Sequence, residues 1–398
     1  MAVSFLNREV SDLCLGKPAL RPVKETASIA EAVAALKRSG ESHVSVWRCS
    51  DHSRKVLEGD NCRCIGKICM VDVICFLCKE ENLGNISKAM ESPVSELLPK
   101  GISIVTHLDR NSSLLEAMDW ILEGTQNLVV PIQSYMRRNS RRNILNKPLS
   151  LSSSNHHGVE YCWLTQEDVV RFLLNSIGVF SPLPTFTIES LNIIDHDIMT
   201  IRYHDHAAAA LSSISRAHVE QTSIAVIDDD NRLIGEISPF TLAHCDETVA
   251  AAIMTLSAGE LMAYIDCCGP TEDLMELVKQ RLDEKNLGTL LELMEDEYSV
   301  SSISSSPSSC SSGDESTLSK SSGSGQYCMR RSEAITCHPW SSLVAVMIQA
   351  LAHRASCIWV IEEDQTLVGN VTYKEILRVF RSIANSRPKP GRENAFKQ

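Results

Sequence analysis

The sequence predicts a mixed α/β (α+β) fold in which one β-α-β-β-α unit is used four times, and three observations carry that prediction. One phrase is written twice: VIDDDNRLIGEIS from Val226 and VIEEDQTLVGNVT from Val360. Each reads as an apolar strand, an acidic turn and a second apolar strand. The glycine of that second strand, Gly235 or Gly369, sits where a neighbouring backbone can come close. Helical spacing flanks the second phrase, with Leu343, Val346, Met347 and Ala350 before it and Ile376, Leu377, Val379 and Phe380 after it. Finally, the same order of elements returns twice in the N-terminal half, each time behind a helix-capping signature.

The elements follow in chain order. In the first copy, residues 12–80, SIAEAVAALKRSG opens on the capping pair Ser28 and Glu31 and closes at Gly40. HVSVW is its first core strand, CIGKICMVD its second and VICFLCKEE its closing helix. The second copy, residues 92–175, repeats the capping pair as Ser113 and Glu116 and continues through NLVVPI, EYCWLTQED and VVRFLLNSI. The third, residues 193–251, runs AAAALSSISRAHV, SIAVIDDD, RLIGEIS and PFTLAHC, and the fourth occupies residues 330–387. From the strand anchor to the matching position of the closing helix there are 17 residues in the third and fourth copies, 28 in the first and 40 in the second. The excess falls in polar stretches, including a basic insertion over residues 134–158. A surface hairpin tolerates such growth, because each doubling of loop length costs only about 0.6 kcal/mol.

Between the third and fourth copies, TEDLMELVKQRLDEKNLGTLLELMEDE lies in a helical connector, residues 252–298. Its acidic amphipathic pattern suits either an extended closing element of the third copy or a partner-docking helix. Residues 299–326 are serine-rich with few apolar side chains and are expected to be disordered.

Composition narrows the function. The chain has 398 residues, 43% of them hydrophobic, enough for several small cores. Its net charge of −12 argues against a general nucleic-acid binder. No apolar run approaches a membrane span. Fifteen cysteines without a scaffold-like pattern fit a reducing compartment, so a cytoplasmic or nuclear protein is expected. Gly59 and Gly66-Lys67 lack the spacing and hydroxyl residue of a phosphate loop, and no G-x-S-x-G, H-E-x-x-H or dinucleotide fingerprint appears. An enzyme is not expected.

These residues resemble the CBS domain, with Pro131 in LVVPI, the second-strand glycines and Thr165-x-x-Asp168 as the most specific marks. The chain is similar to plant CBS-domain-only proteins and, distantly, to the gamma subunit of AMP-activated kinase. The resemblance implies that the four copies pair into two Bateman modules, which can complete one pseudo-fourfold disk. It also implies a regulatory protein of the energy-sensing kind. Its clefts would bind an adenosine-containing ligand of the AMP, ATP or S-adenosylmethionine class, with no cofactor required, and it would modulate a partner such as a kinase or metabolic enzyme. A monomer or a homodimer fits this. An interaction scaffold with vestigial clefts is the alternative.

The cleft logic can be read residue by residue. A hydroxyl at the end of the second strand, three residues before a carboxylate in the next helix, points both groups into one pocket. The carboxylate can then accept from ribose hydroxyls. By resemblance these slots are Cys69 and Asp72, Thr165 and Asp168, Ser238 and Thr241, and Thr372 and Glu375. Only the second copy is fully in pattern, so the N-terminal module is the expected ligand site. Cations expected just before each core strand are missing except for His43, which favours a neutral or weakly charged ligand. Ser140 in RRNSRR, with Arg137 three residues before it, is a candidate phosphorylation site. Metal binding is not expected: Cys62 and Cys64 with Cys75 and Cys78 read as packing residues, and the acidic runs as solvated turns.

Overall fold

The computed structural model describes residues 2–49, 62–99, 105–132, 159–266, 270–301 and 332–385. Within them lie four three-stranded sheets, one per copy. The first contains β1 (Pro22–Lys24), β2 (His43–Arg48) and β3 (Arg63–Cys69), and the second β4 (Val105–His107), β5 (Asn127–Ile132) and β6 (Glu160–Leu164). The third contains β7 (Thr200–Arg202), β8 (Ile224–Ile227) and β9 (Leu233–Ile237), and the fourth β10 (Thr336–Cys337), β11 (Cys357–Ile361) and β12 (Leu367–Thr372). Every middle strand pairs parallel with the strand before it, across a helix, and antiparallel with the strand after it, across a hairpin. This is the predicted unit, four times.

The local signals explain where the elements begin and end. Ser28 Oγ accepts from Glu31 N at 3.2 Å while Glu31 Oε2 accepts from Ser28 N at 3.0 Å, which fixes the start of the helix Ile29–Ser39. Gly40 ends it at φ 65°, a left-handed conformation that suits glycine. At Ser113 only half of the box forms: its Oγ accepts from Glu116 N at 3.1 Å, and the residue is bridged to Glu9 through the backbone. The second strand of the first copy is shorter than CIGKICMVD suggests. It stops at Cys69, whose amide donates to Asp72 Oδ2 at 2.8 Å, and that bond starts the helix Met70–Leu77. Met70–Asp72 are therefore helical.

The twice-written phrase forms two hairpins that meet tip to tip, Leu233 N donating to Gln365 O and Leu367 N to Asn231 O. Their acidic runs are turns: Asp228 Oδ1 accepts from Asp230 N and Arg232 N, and Asp364 Oδ1 from Thr366 N. The glycines do admit backbone. A Cβ on Gly369 would lie 2.4 Å from Asp195 O, and one on Gly235 would lie 2.9 Å from Ser332 O. Thus the segment leading into each copy of the C-terminal pair lies along the other copy's last strand.

Packing sets the arrangement of the copies. The first and second sheets share a core of Trp47, Cys64, Val105, Val129 and Trp163. The third and fourth share Ala225, Ile227, Cys357, Trp359, Ile361 and Leu367. On the helical side, Val73, Ile74 and Leu77 of the first copy join Ile214, Ala217 and Leu242 of the third. Met118, Val170 and Leu173 of the second copy join Val346, Leu377 and Phe380 of the fourth. Each copy therefore packs on two others, through its sheet and through its helices, and the four close into a ring.

The connector contains the helices Ala258–Asp266, Glu272–Glu284 and Gly288–Ser301. Val278, Leu282, Leu290 and Met294 are fully buried in the core shared by the first and third copies, and Thr289 Oγ1 donates to Leu83 O at 2.6 Å. That apolar face is used within the chain, which removes the docking alternative for it. The helix Gly288–Ser301 takes in residues 299–301, the first three of the serine-rich stretch expected to be disordered. The rest of that stretch lies outside the described residues, as do the 134–158 insertion and Ser140. No helix among the described residues is long and apolar enough to cross a membrane.

Candidate ligand-binding site

The second copy supplies the best-formed site. Thr165 ends the strand run and caps the helix Gln166–Asn175, accepting from Asp168 N at 3.3 Å. Asp168 Oδ2 is saturated: it accepts from Thr165 N at 2.8 Å, from Thr165 Oγ1 at 2.7 Å, and from Lys17, whose ammonium also donates to Trp163 O at 2.8 Å. Asp168 Oδ1 has no protein partner among the described residues. The carboxylate faces a cavity of about 790 Å³ to which all four copies contribute. The first copy gives Lys17, Arg21 and His43, and the second Trp163, Thr165 and Asp168. Phe240, Thr241 and His244 come from the third copy and His353 and Arg354 from the fourth. That volume suits a small organic ligand.

Two expectations about charge change here. Burial first, then Lys67, His244 and Lys17, push the His43 imidazole down to about 2, so it is neutral rather than the cation the sequence offered. The cations come from elsewhere: Lys17 and Arg21 from the segment before β1, and Arg354 from the loop before β11. Arg21 Nε lies 3.0 Å from Glu41 Oε1, and Arg354 takes a left-handed φ of 51° at the end of its helix. A residue out of register within its own copy can still line another copy's site.

The first copy forms a second cavity, of about 530 Å³, around Asp72. Asp72 does not have the open oxygen of Asp168. His218, from the third copy's helix Leu211–Glu220, places Nε2 3.3 Å from Asp72 Oδ1, while Cys69 N donates to Oδ2. Burial would raise the Asp72 carboxyl, but His218 and the bonds from Cys69 hold it below its usual range. Burial would likewise lower the His218 imidazole, yet Cys69 and Asp72 hold it well above. The ribose role expected of Asp72 therefore meets a histidine already in place. Lys67, on the same wall, donates to Asn127 Oδ1 at 3.3 Å, and burial lowers its ammonium below the ordinary value.

The C-terminal slots are built differently. Ser238, Thr372 and Glu375 line neither cavity. Ser238 is buried and accepts from Phe240 N, and Glu375 pairs with Arg378 one turn on, so its carboxylate is engaged locally. Burial raises the Glu375 carboxyl. Thr241 reaches the larger cavity but brings no carboxylate. As for the cysteines, Cys64 lies between the first two sheets with Cys62 against that cluster, and Cys75 and Cys78 lie in the helical core.

No protein-family model matches the chain. The CBS domain-containing protein CBSX5 of Arabidopsis thaliana is 45% identical over 397 residues, covering 96% of this chain and 99% of that protein. The chain belongs to the CBS domain-containing proteins. The SNF1-related protein kinase regulatory subunit gamma-like PV42b, also from Arabidopsis thaliana, is 22% identical over 333 residues, covering 80% of this chain and 76% of that one. Among solved structures, protein MJ1225 from Methanocaldococcus jannaschii shares the fold, with a TM-score of 0.53, 15% identity, and coverage of 94% of this chain and 99% of that one.

Within this CBS ring the sequence pattern names Asp72 and Asp168, which line the two cavities, but not the side chains that face them. Thr165 and Asp168 are local to one motif. Lys17, Arg21, His218 and Arg354 belong to other CBS copies, and only the ring brings them in.

Proposed function

We propose that this CBS protein is a non-catalytic regulator whose four-copy cavity binds an adenosine-containing ligand of the AMP, ATP or S-adenosylmethionine class. Asp168 Oδ1 carries the reading. It is a carboxylate oxygen without a partner among the described residues, in a cavity of suitable size, three residues from a capping threonine. Ribose hydroxyls donating to it would form charge-assisted bonds, roughly twice as strong as neutral ones. Arg21 and Arg354 on the same walls favour an anionic ligand over the neutral one expected from sequence. Because all four copies line the cavity, a ligand there favours the arrangement in which they close on it, and that difference in affinity is what a partner could read. A protein kinase is the first class of partner to test, since a relative across most of the chain is named as a kinase regulatory subunit.

Calorimetric titration of the full chain with adenosine, AMP, ATP and S-adenosylmethionine tests the reading. The expected result is one ligand per chain at this cavity, with AMP bound more tightly than adenosine. Absence of binding by all four would overturn it and leave the scaffold alternative.

A further inference from the structure

The first-copy cavity holds three side chains that the adenosyl-ligand reading does not use. Cys69 ends β3, Asp72 lies in the next helical turn, and His218 reaches both from the third copy. His218 Nε2 lies 3.6 Å from Cys69 Sγ and 3.3 Å from Asp72 Oδ1, and all three donor atoms fall within 4.8 Å of one another. A tetrahedral zinc ion, with bonds of about 2.3 Å to sulfur and about 2.0 Å to nitrogen and oxygen, sets donor-to-donor edges of about 3.3 to about 3.6 Å.

We propose that Cys69, Asp72 and His218 bind one Zn²⁺ ion at the contact between the first and third copies, with a fourth position open to the cavity. The donor set decides the metal class. A thiolate beside an imidazole selects a borderline-soft ion over Mg²⁺ or Ca²⁺, which prefer all-oxygen shells. The Cys69 amide holds Asp72 Oδ2 at 2.8 Å and so aims Oδ1 toward His218, the kind of outer contact that orients a metal ligand. A hydrogen-bonded trio without metal would show the same spacings, and metal uptake separates the two. The site joins the N-terminal module to the C-terminal one. Zinc that binds only the folded ring therefore stabilises it by mass action.

The test uses the full-length chain, reduced and stripped of metal, with Co²⁺ as the optical probe and Zn²⁺ as competitor. One equivalent of Co²⁺ should give intense tetrahedral visible bands and a sulfur-to-metal charge-transfer band in the near ultraviolet, all bleached by Zn²⁺. Cys69→Ser should lose the charge-transfer band, and His218→Gln should bind Zn²⁺ about tenfold or more weakly, at least the penalty seen for losing an outer-shell partner. Cys64→Ser and Cys78→Ser should keep both, which separates this site from the other thiols. If His218→Gln does not fold, Asp72→Asn and the wild-type spectrum decide. The proposal is overturned by a wild-type chain that shows no sulfur-ligated Co²⁺. It is equally overturned by His218→Gln or Asp72→Asn binding Zn²⁺ as the wild type does. No nucleotide enters this experiment, so its outcome is independent of the adenosyl-ligand reading.

Discussion

The N-terminal and C-terminal pairs of copies share one architecture and differ in their chemistry. Each pair buries a tryptophan between its sheets: Trp47, whose indole donates to Ser45 Oγ at 2.8 Å, and Trp359, whose indole donates to Glu236 Oε2 at 2.7 Å. Each pair also repeats the strand-end hydroxyl or thiol slot. Yet Asp72 and Asp168 each face a cavity, while Glu375 is held by Arg378 and Thr241 has no carboxylate to offer. The duplicated parts are those that bury apolar surface, and the parts that diverge are those a ligand would touch. Asp72 and Asp168 differ in turn, although both sit in the same capping geometry. One meets His218 and the other has an oxygen without a partner among the described residues, because different copies stand opposite them.

If folding is duplicated and chemistry is not, truncating either tryptophan should cost alike. Trp47→Ala and Trp359→Ala should each destabilise the chain by about 3–5 kcal/mol in urea unfolding, the usual cost of truncating a buried aromatic. A loss confined to one of them would break the symmetry. Next in size is Gly369→Ala, where the new methyl meets Asp195 O, a backbone atom held by paired hydrogen bonds that cannot swing away. It should cost about 1–3 kcal/mol, read as a lowered urea midpoint. Arg354→Gln sharpens the chemical side: AMP affinity should fall by about 1 kcal/mol or less, as for an exposed ion pair, with adenosine unchanged. Equal effects on both ligands would take Arg354 out of the anion's reach.

The smallest effect concerns the connector, where Arg281 is the main cause holding the Glu260 carboxyl down at about 2 against an ordinary 4.5. A depressed carboxyl stabilises the fold above its unfolded value and loses that contribution as pH falls through the folded one. Glu260→Gln should therefore lower Tm slightly at pH 7, and the gap to wild type should close between about pH 4.5 and about pH 2. A gap that persists at the acid end would assign the effect to packing.

Much of this molecule is legible in its sequence because its signals are local. Ser28 and Glu31, Thr165 and Asp168, and the paired hairpin phrases each specify structure within a few residues, and the glycines mark where backbone comes close. What escapes is whatever needs the ring. His43 is basic by type, but burial among other cations keeps it neutral. Nothing within the third copy pairs His218 with Asp72 until the first copy packs against it. Arg354 lies a few residues before the position where a cation is expected in its own copy yet lines the shared cavity. The connector helices show the same limit, since an amphipathic pattern gives the apolar face but not what covers it.

The most direct test of the account is one calorimetric series with AMP on wild type, Asp168→Ala and Glu375→Ala. The account predicts a single site per chain in wild type. It predicts a loss of about 1.5–3 kcal/mol for Asp168→Ala, as for a hydrogen bond to a charged group, and no change for Glu375→Ala. Unchanged affinity in Asp168→Ala, or a loss confined to Glu375→Ala, would contradict it.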